Sequence, residues 1–498
     1  MSETFTPSTK NILIVDLNNE APFPTLAVGY LSTPLKQAGY NVEVYSPLAF
    51  GVSPLTRDVE ETLLNYLAVR IRLATHPLIE WTNDLLYNLY TKVRFRPTRP
   101  FINKTKEVIK AKSHDLILVS AYLQYDRLFE VIAAQAKSEG IPLLLGGPFF
   151  NYPEVNEQWI DIQGVTAIFG GEPEFVLENL VRDMLTQSDI SLYPGIFTRN
   201  KQLTGRAAPP LELTEKLPIP NFDYYNWPEK ERRVLPIMAA RGCGWGKCLF
   251  CSDITTASTR TFRSRPLQTL LDELQSQSEK YHSRNFIFFD SKLNSNLEIW
   301  YGLIEHFQSI VPQAKWVATV HVDGKGENGL EADTLKKAFA AGLRRMSFGL
   351  ETGSQRLNNR MRKGTKMQRN AEFVQAASVA GISVRTTVMV GYPGETGEDI
   401  EQTIEFLTAH QAFIDRVAMS KFKAIPGTGF GERYNRRPQI YPTIKNLKWN
   451  FRFARATYTF TTDDKPRYRR AKAKLIKLVH QMNKRPLTDT AQVFNGLM

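Results

Sequence analysis

All three cysteines of the chain fall in one glycine-rich stretch, Arg241-Gly-Cys-Gly-Trp-Gly-Lys-Cys-Leu-Phe-Cys-Ser252. Cys243, Cys248 and Cys251 stand at C-x4-C-x2-C spacing. Gly242, Gly244 and Gly246 free the backbone to fold back within a few residues, so the three thiols can converge on one metal centre. Structural zinc asks for four ligands, and the nearest downstream histidine is His282. A plant-type two-iron cluster uses the same local spacing but takes a fourth cysteine, and the chain has none. A four-iron cluster on three thiolates leaves one iron open, and an open iron is a place for chemistry. Three buried structural cysteines are the remaining alternative, although free cysteines seldom gather so closely at ligand spacing.

The length of 498 residues, 42% of them hydrophobic, allows two or three domains with sizeable cores. Met1 to Lys10 is polar and carries no signal-peptide run. No stretch of about 18 apolar residues stands out as a membrane-spanning helix. With every cysteine in one loop there is no disulfide framework, which points to a reducing, cytoplasmic setting. The net charge of +13 is uneven: residues 433–485 hold sixteen Lys/Arg against Asp463 and Asp464, and the rest is near neutral. Such a segment can meet nucleic acid, a membrane surface, an anionic substrate or an acidic peptide. A solvated helical face without a partner is the equal alternative.

Taken in order, residues 11–16 read as a buried parallel strand, 26–38 as an amphipathic helix stopped by Gly39, and 42–45 as a second strand. This βαβ opening predicts a doubly wound parallel α/β sheet. A helical insertion over about 55–112 carries Trp81, Tyr87, Tyr90, Arg94 and Arg96. Strands resume at 116–120, 142–145 and 166–169, followed by the loops Ser120-Ala-Tyr-Leu-Gln, Gly146-Gly-Pro-Phe-Phe and Gly170-Gly-Glu-Pro-Glu. Ligands of such sheets sit beyond the carboxyl ends of the strands. Ser120, Gly146, Gly147, Gly171 and Glu172 are therefore candidate cofactor contacts, together with the loop at 16–23.

Pro194, Pro209, Pro210, Pro218 and Pro220 punctuate a linker over 191–230, with a small hairpin expected from Gly195-Ile-Phe-Thr and Gln202-Leu-Thr. Six further strands are expected at 234–239, 285–290, 316–322, 345–351, 384–391 and 417–423, with helices between them. That series fits a partial (β/α)6, TIM-like barrel over 231–430, and the cysteine loop after its first strand lies at the catalytic rim. Residues 431–498 form a basic accessory segment with an amphipathic helix over 465–483. The first α/β domain spans 10–190.

Three motifs end predicted barrel strands. Phe288-Phe-Asp-Ser-Lys-Leu-Asn294 offers Asp290, whose alternative work is a helix N-cap made by Asp290 or Ser291. Ser347-Phe-Gly-Leu-Glu-Thr-Gly-Ser354 offers Glu351, costly if buried unpaired; a salt bridge to Arg385 is its alternative partner. Val390-Gly-Tyr-Pro-Gly-Glu-Thr396 offers Gly391 and Gly394 for close backbone approach. His321 and Lys325 point to the same rim as proton-handling candidates, although a lone histidine is more often structural.

The cysteine loop resembles the cluster-binding loop of radical S-adenosylmethionine (SAM) enzymes. Their usual spacing is C-x3-C-x2-C, one residue shorter, but Arg-Gly-Cys-x-Trp-Gly-x-Cys-x-Phe-Cys is similar to loops of the cobalamin-dependent branch. The strand-end motifs resemble that superfamily's FGLESGS and GLPGET, and the first α/β domain resembles its cobalamin-binding domain. The Asp-x-His-x-x-Gly motif is absent, since Leu17, Asn18 and Asn19 follow Asp16; members of this branch often lack it and bind cobalamin without a histidine ligand. The resemblance covers about 10–430. It implies a [4Fe–4S] cluster on Cys243, Cys248 and Cys251, with SAM contacted by Phe250, Asp290, Glu351, Ser354, Gly391 and Gly394. It also implies cobalamin in the first domain and an external electron donor such as flavodoxin or ferredoxin. The commonest reaction so implied is methyl transfer to an unactivated carbon of a small-molecule, lipid or peptide substrate, started by a 5′-deoxyadenosyl radical. Cyclisation or ring rearrangement is the alternative. Methylthiotransferases need cysteines that this chain lacks. A different class, an iron–sulfur sensor of cobalamin or redox state with a nucleic-acid-binding basic tail, leaves the strand-end motifs without work.

Overall fold

The computed structural model describes residues 6–17, 23–46, 60–73, 89, 96–111, 113–199, 207–213, 217–227, 232–252, 262–324 and 326–497. Much of the expected helical insertion, with Trp81, Tyr87, Tyr90 and Arg94, lies outside the described residues, as does Lys325. Helices Leu63–Arg72 and Arg99–Ala111 of that insertion are described.

The first sheet holds β1 (Asn11–Leu17), β2 (Asn41–Tyr45), β3 (Leu116–Ala121), β4 (Leu143–Gly146), β5 (Ala167–Phe169) and β6 (Ile196–Phe197) in the order β2-β1-β3-β4-β5-β6. Neighbours from β2 through β5 pair in parallel. The apolar run of β1 is buried on both faces, as a strand covered by helices on each side demands. Leu13, Val15, Ile117 and Val119 pack with Phe129 and Trp159 on one face. Ile12, Ile14, Leu116 and Leu118 pack with Val28 and Leu180 on the other. Strand order reverses between β1 and β3, which makes a switch point at their carboxyl ends. The linker hairpin is not the one expected: Ile196–Phe197 pairs antiparallel with β5, and residues 202–204 lie outside the described residues.

The second sheet begins with β7 (Val234–Ile237). A two-rung antiparallel pair, β8 (Ala240–Arg241) and β9 (Arg263–Ser264), brackets the cysteine loop. The sheet continues with β10 (Asn285–Phe288), β11 (Lys315–Val320), β12 (Leu343–Glu351), β13 (Ser383–Val390) and β14 (Arg416–Lys421), in the order β14-β13-β12-β11-β10-β7. Every neighbouring pair is parallel. Each new strand adds on the same side, so all the carboxyl ends form one rim. Every strand expected in this second series is present within about three residues at its ends. Trp300, Phe307, Trp316 and Phe348 anchor the core between this sheet and its helices.

The basic C-terminal segment folds as a hairpin of β15 (Ile444–Asn450) and β16 (Arg455–Phe460), then helix Lys465–Asn483. That helix is not merely a solvated face. Tyr468, Leu475, Ile476, Val479 and Met482 join the core of the second sheet. Asn483 donates to Val417 O at 2.9 Å and accepts from Val417 N at 2.8 Å, which covers the free edge of β14.

Candidate active site between the two strand-end rims

A cavity of about 480 Å³ lies at the carboxyl ends of the first sheet. Its walls include Pro24, Ser120, Tyr122, Gly146, Gly147, Gly171 and Glu172, and of the loop expected at 16–23 they include Phe23, while residues 18–22 lie outside the described residues. Gly147 has φ of 144°, and a Cβ there would stand 2.3 Å from Ala121 O; only glycine lets the β3 and β4 loops meet so closely. The opposite wall is Met238, Arg241 and Phe289, from the rim of the second sheet beside the cysteine loop. Gly496 and Leu497 close another side.

Glu172 does different work from that expected of it. Its carboxylate accepts from Arg263 Nη1 at 2.7 Å, Arg263 Nη2 at 2.9 Å and Leu211 N at 2.8 Å. Arg241, two residues before Cys243, lies 3.3 Å from Glu172 and pairs closely with Glu174. The two arginines that flank the cysteine loop thus grip the loop after β5. These cations hold the Glu172 carboxyl below its usual range against the opposing effect of burial, which is the largest influence. Sequence reasoning missed this clasp, although Arg241 sits inside the signature stretch.

Cys243, Cys248 and Cys251 form no disulfide among the described residues and are half-buried. Leu249 N donates to Met361 O at 3.0 Å, and Phe430 N donates to Leu249 O at 2.7 Å, so two helices pin the loop. Trp245 donates to Arg362 O at 2.8 Å and stacks on His321 at 6.0 Å. Burial pushes the Cys248 thiol up to about 11, opposed by the Lys363 cation; a coordinating metal would supply the deprotonation that the protein does not. Among the described residues, no three His, Cys, Asp or Glu side chains are gathered to grip a single ion. The chain holds three cysteines and no fourth, a ligand set that fits a four-iron cluster with one open iron better than it fits four-coordinate zinc.

Glu351 ends β12 in a left-handed conformation, φ 62°, where the register with β13 slips. Non-glycine residues seldom sit there, and such strain collects at functional sites. The turn folds the carboxylate over Gly349, where a Cβ would stand 2.4 Å from Glu351 Oε1. Thr387 donates to that oxygen at 2.8 Å, and Lys363 Nζ lies 4.0 Å away. The ion-pair partner is therefore Lys363, while Arg385 donates to Ser347 at 2.9 Å. Phe250 packs edge-on against Tyr392, 6.4 Å between centroids.

Four other expected contacts find different partners. Asp290 caps no helix: its two oxygens accept from Ala239 N at 3.0 Å and Ala240 N at 2.6 Å, which holds the exit of β7 toward the cysteine loop. Burial pushes its carboxyl up to about 7 despite those bonds. Ser354 is wholly buried, caps helix Gln355–Met361 and donates to Asp399 at 2.6 Å. Gly394 makes room for Arg360, whose Nε would stand 2.7 Å from a Cβ there. His321 is buried; its Nε2 lies 3.3 Å from Asp323 Oδ1, without hydrogen-bond alignment. Burial, then the Lys363 and Lys292 cations, push its pKa well down and keep the ring neutral. Gly391 alone among the motif glycines faces open space, with nothing within 4 Å of a Cβ.

With this geometry in place, comparison with known proteins defines the class. Residues 237–407 match the model of the radical SAM superfamily. An uncharacterized methyltransferase of Pyrococcus horikoshii is 23% identical over 334 residues, 66% of this chain and 70% of that protein. The anaerobic magnesium-protoporphyrin IX monomethyl ester cyclase of Rubrivivax gelatinosus is 25% identical over 322 residues, 60% of this chain; the chain spans 55% of that cyclase. Among solved structures, the radical SAM methyltransferase TsrM from Kitasatospora setae, with tryptophan and a SAM analogue bound, aligns with TM-score 0.67 and 16% identity, covering 94% of this chain and 89% of TsrM. The radical SAM enzyme OxsB with aqua-cobalamin bound aligns with TM-score 0.63 and 16% identity, covering 92% of this chain and 65% of OxsB. The second sheet and its loops form a radical SAM domain, and the chain is a radical SAM enzyme. Over nearly its whole length its fold is that of the cobalamin-dependent members. A radical SAM domain carries a [4Fe–4S] cluster and binds SAM. Among the described residues no helix is long and apolar enough to cross a membrane.

Proposed function

We propose that this chain is a cobalamin-dependent radical SAM C-methyltransferase working on an unactivated carbon in a reducing cytosol. The observation that carries the reading is the cavity between the two rims, with Ser120, Gly147 and Gly171 on one side and Arg241, Met238 and Phe289 on the other. A cofactor in it would lie against the loop meant to hold the cluster. Its size falls in the usual range for a cofactor site, and its walls are mainly apolar, as the face of a corrin ring requires. Among its described walls there is no histidine, so the cobalt would take no imidazole from them.

The domain division follows: a cobalamin-binding domain over 10–190, a linker over 191–230, a radical SAM partial barrel over 231–430 and a basic accessory segment over 431–498. Cys243, Cys248 and Cys251 would ligate the cluster. Phe250, Glu351 and Gly391 would contact SAM, with Lys363 and Thr387 aiming the Glu351 carboxylate. Asp290, Ser354 and Gly394 would act by shaping the loops around that contact. When bound, the cluster supplies the electron that cleaves SAM, and cobalamin supplies the methyl carrier. The chain's own work is to pin the loop, exclude water and keep the cavity beside the loop that would hold the cluster. A neutral His321 could accept a proton but is better placed to support Trp245.

Ring closure is the second reading, favoured by the likeness to the cyclase. Purified anaerobically, the protein is expected to carry cobalamin absorbance and to form 5′-deoxyadenosine and S-adenosylhomocysteine with SAM and a reductant. Deoxyadenosine without S-adenosylhomocysteine, on every substrate that supports turnover, would favour cyclisation. A loaded protein that yields neither would remove the enzyme reading's main support.

A further inference from the structure

We infer that the exposed basic collar around the cysteine loop is the docking surface for an acidic one-electron donor protein. The inference rests on the radical SAM reading of the same loop and gives a task to the basic charge that this reading leaves unused. The loop reaches the surface, with Gly244 and Lys247 exposed. Its middle is wedged between two short helices by the Leu249–Met361 and Phe430–Leu249 backbone bonds. The first helix, Gln355–Met361, ends at the exposed Arg362, whose carbonyl holds Trp245. The second, Gly429–Arg436, starts on the loop and runs outward to Arg433, Arg436 and Arg437. Six residues of helix span about 9 Å, so Arg436 lies within a screening length of the loop. Arg360 Nη2 donates to Ile440 O at 3.2 Å and joins the two flanks.

Lys247, Arg362, Arg436 and Arg437 are exposed and Arg433 is half-buried, against one exposed acid on these elements, Glu432. A cation-lined surface around a half-buried redox loop steers an anionic partner and sets its register. The electron that passes is one per SAM cleaved: the donor is oxidised by one electron and the cluster reduced by one. A nucleic acid would also meet cations, but the second sheet places these at the mouth of a redox loop. They also lie on different elements from Arg469 and Arg470 of the helix Lys465–Asn483, which a strand could track.

The test uses the full chain loaded with its cluster, and reduced flavodoxin as the acidic probe. Binding is measured by calorimetry, and cluster reduction by anaerobic stopped-flow bleaching. The expected result is that the double variant Arg436→Glu, Arg437→Glu binds flavodoxin about tenfold more weakly and is reduced by it about tenfold more slowly, with the difference fading above roughly 0.5 M salt. Reduction by photoreduced deazaflavin, a small reductant needing no docking, stays unchanged. The control variant Arg469→Glu, Arg470→Glu behaves as the parent. Equal flavodoxin affinity and rate in parent and collar variant overturn the proposal. So does an equal loss in the control, or a single-stranded oligonucleotide that binds the collar more tightly than flavodoxin does. A chain that takes up no cluster overturns the radical SAM reading instead.

Discussion

The hydroxyl of Tyr468, on the last long helix, donates to Glu395 Oε2 at 2.6 Å in the strand-end turn after β13. Gly391 N donates to the same carboxylate at 2.5 Å. The basic C-terminal segment therefore reaches into the turn beside the expected SAM position and holds it.

That carboxylate makes stability depend on pH. Burial pushes Glu395 up to about 7, with the bonds from Tyr468 and Gly391 opposing it. A carboxyl raised in the native state keeps its proton while the unfolded chain has lost it, so the fold weakens as pH rises from about 4.5 toward 7. Glu395→Gln removes this contribution. Chemical denaturation at stepped pH should show the variant gaining on the parent by up to roughly 1.4 kcal/mol per unit through that window, and no further above it. A gap that does not change with pH would place the ordinary carboxyl value at Glu395.

Cys243→Ala, Cys248→Ala and Cys251→Ala should each abolish the iron–sulfur absorbance of the reconstituted protein. Three thiolates are the minimum that leaves one iron open, so no single loss is tolerated. Full absorbance in any one variant would remove that residue from the ligand set.

Glu351→Gln should weaken SAM binding about tenfold at unchanged iron content, read by equilibrium dialysis, because a charge-assisted hydrogen bond is lost at a site with Lys363 beside it. Gly349→Ala should mimic the loss without touching a ligand, since the added methyl takes the space of Glu351 Oε1. Normal SAM affinity in both variants would leave Glu351 a structural ion pair with Lys363.

Arg241→Met leaves Glu174 and Glu172 facing each other with one cation fewer. Breaking such a buried pair costs about 3–5 kcal/mol. The melting temperature should fall, and cobalamin affinity should fall with it, because the clasp joins the cavity to the cysteine loop. Restoring the melting temperature with stabilising ligand but not the cobalamin affinity would separate the two roles. An unchanged melting temperature would mean the clasp is too solvated to matter.

The sheets were legible because strands buried on both faces read as short apolar runs. Asn11–Leu17 and Leu116–Ala121 are plain in the sequence for that reason. The cysteine loop was legible because ligand spacing is local. Partnerships were not: Ser354 meets Asp399, Gly394 meets Arg360, and Glu351 meets Lys363 rather than Arg385. Each motif marked a strand end correctly, but which of its residues faces the cavity is decided by chain tens of residues away. The charge of residues 433–485 was equally plain, yet its amphipathic helix hid a core face and an edge-covering asparagine.

Asn483 also donates to Glu61 Oε1 at 2.7 Å, while His480 stacks on Tyr66 at 4.6 Å. The cap on β14 is thus assembled from residues 422 positions apart in the sequence. During synthesis the edge of β14 emerges well before Asn483 does, with its backbone groups open to any passing strand. The β14 edge stays uncovered until the helix Lys465–Asn483 has been made, which leaves it open meanwhile to a chaperone or a misfolded neighbour.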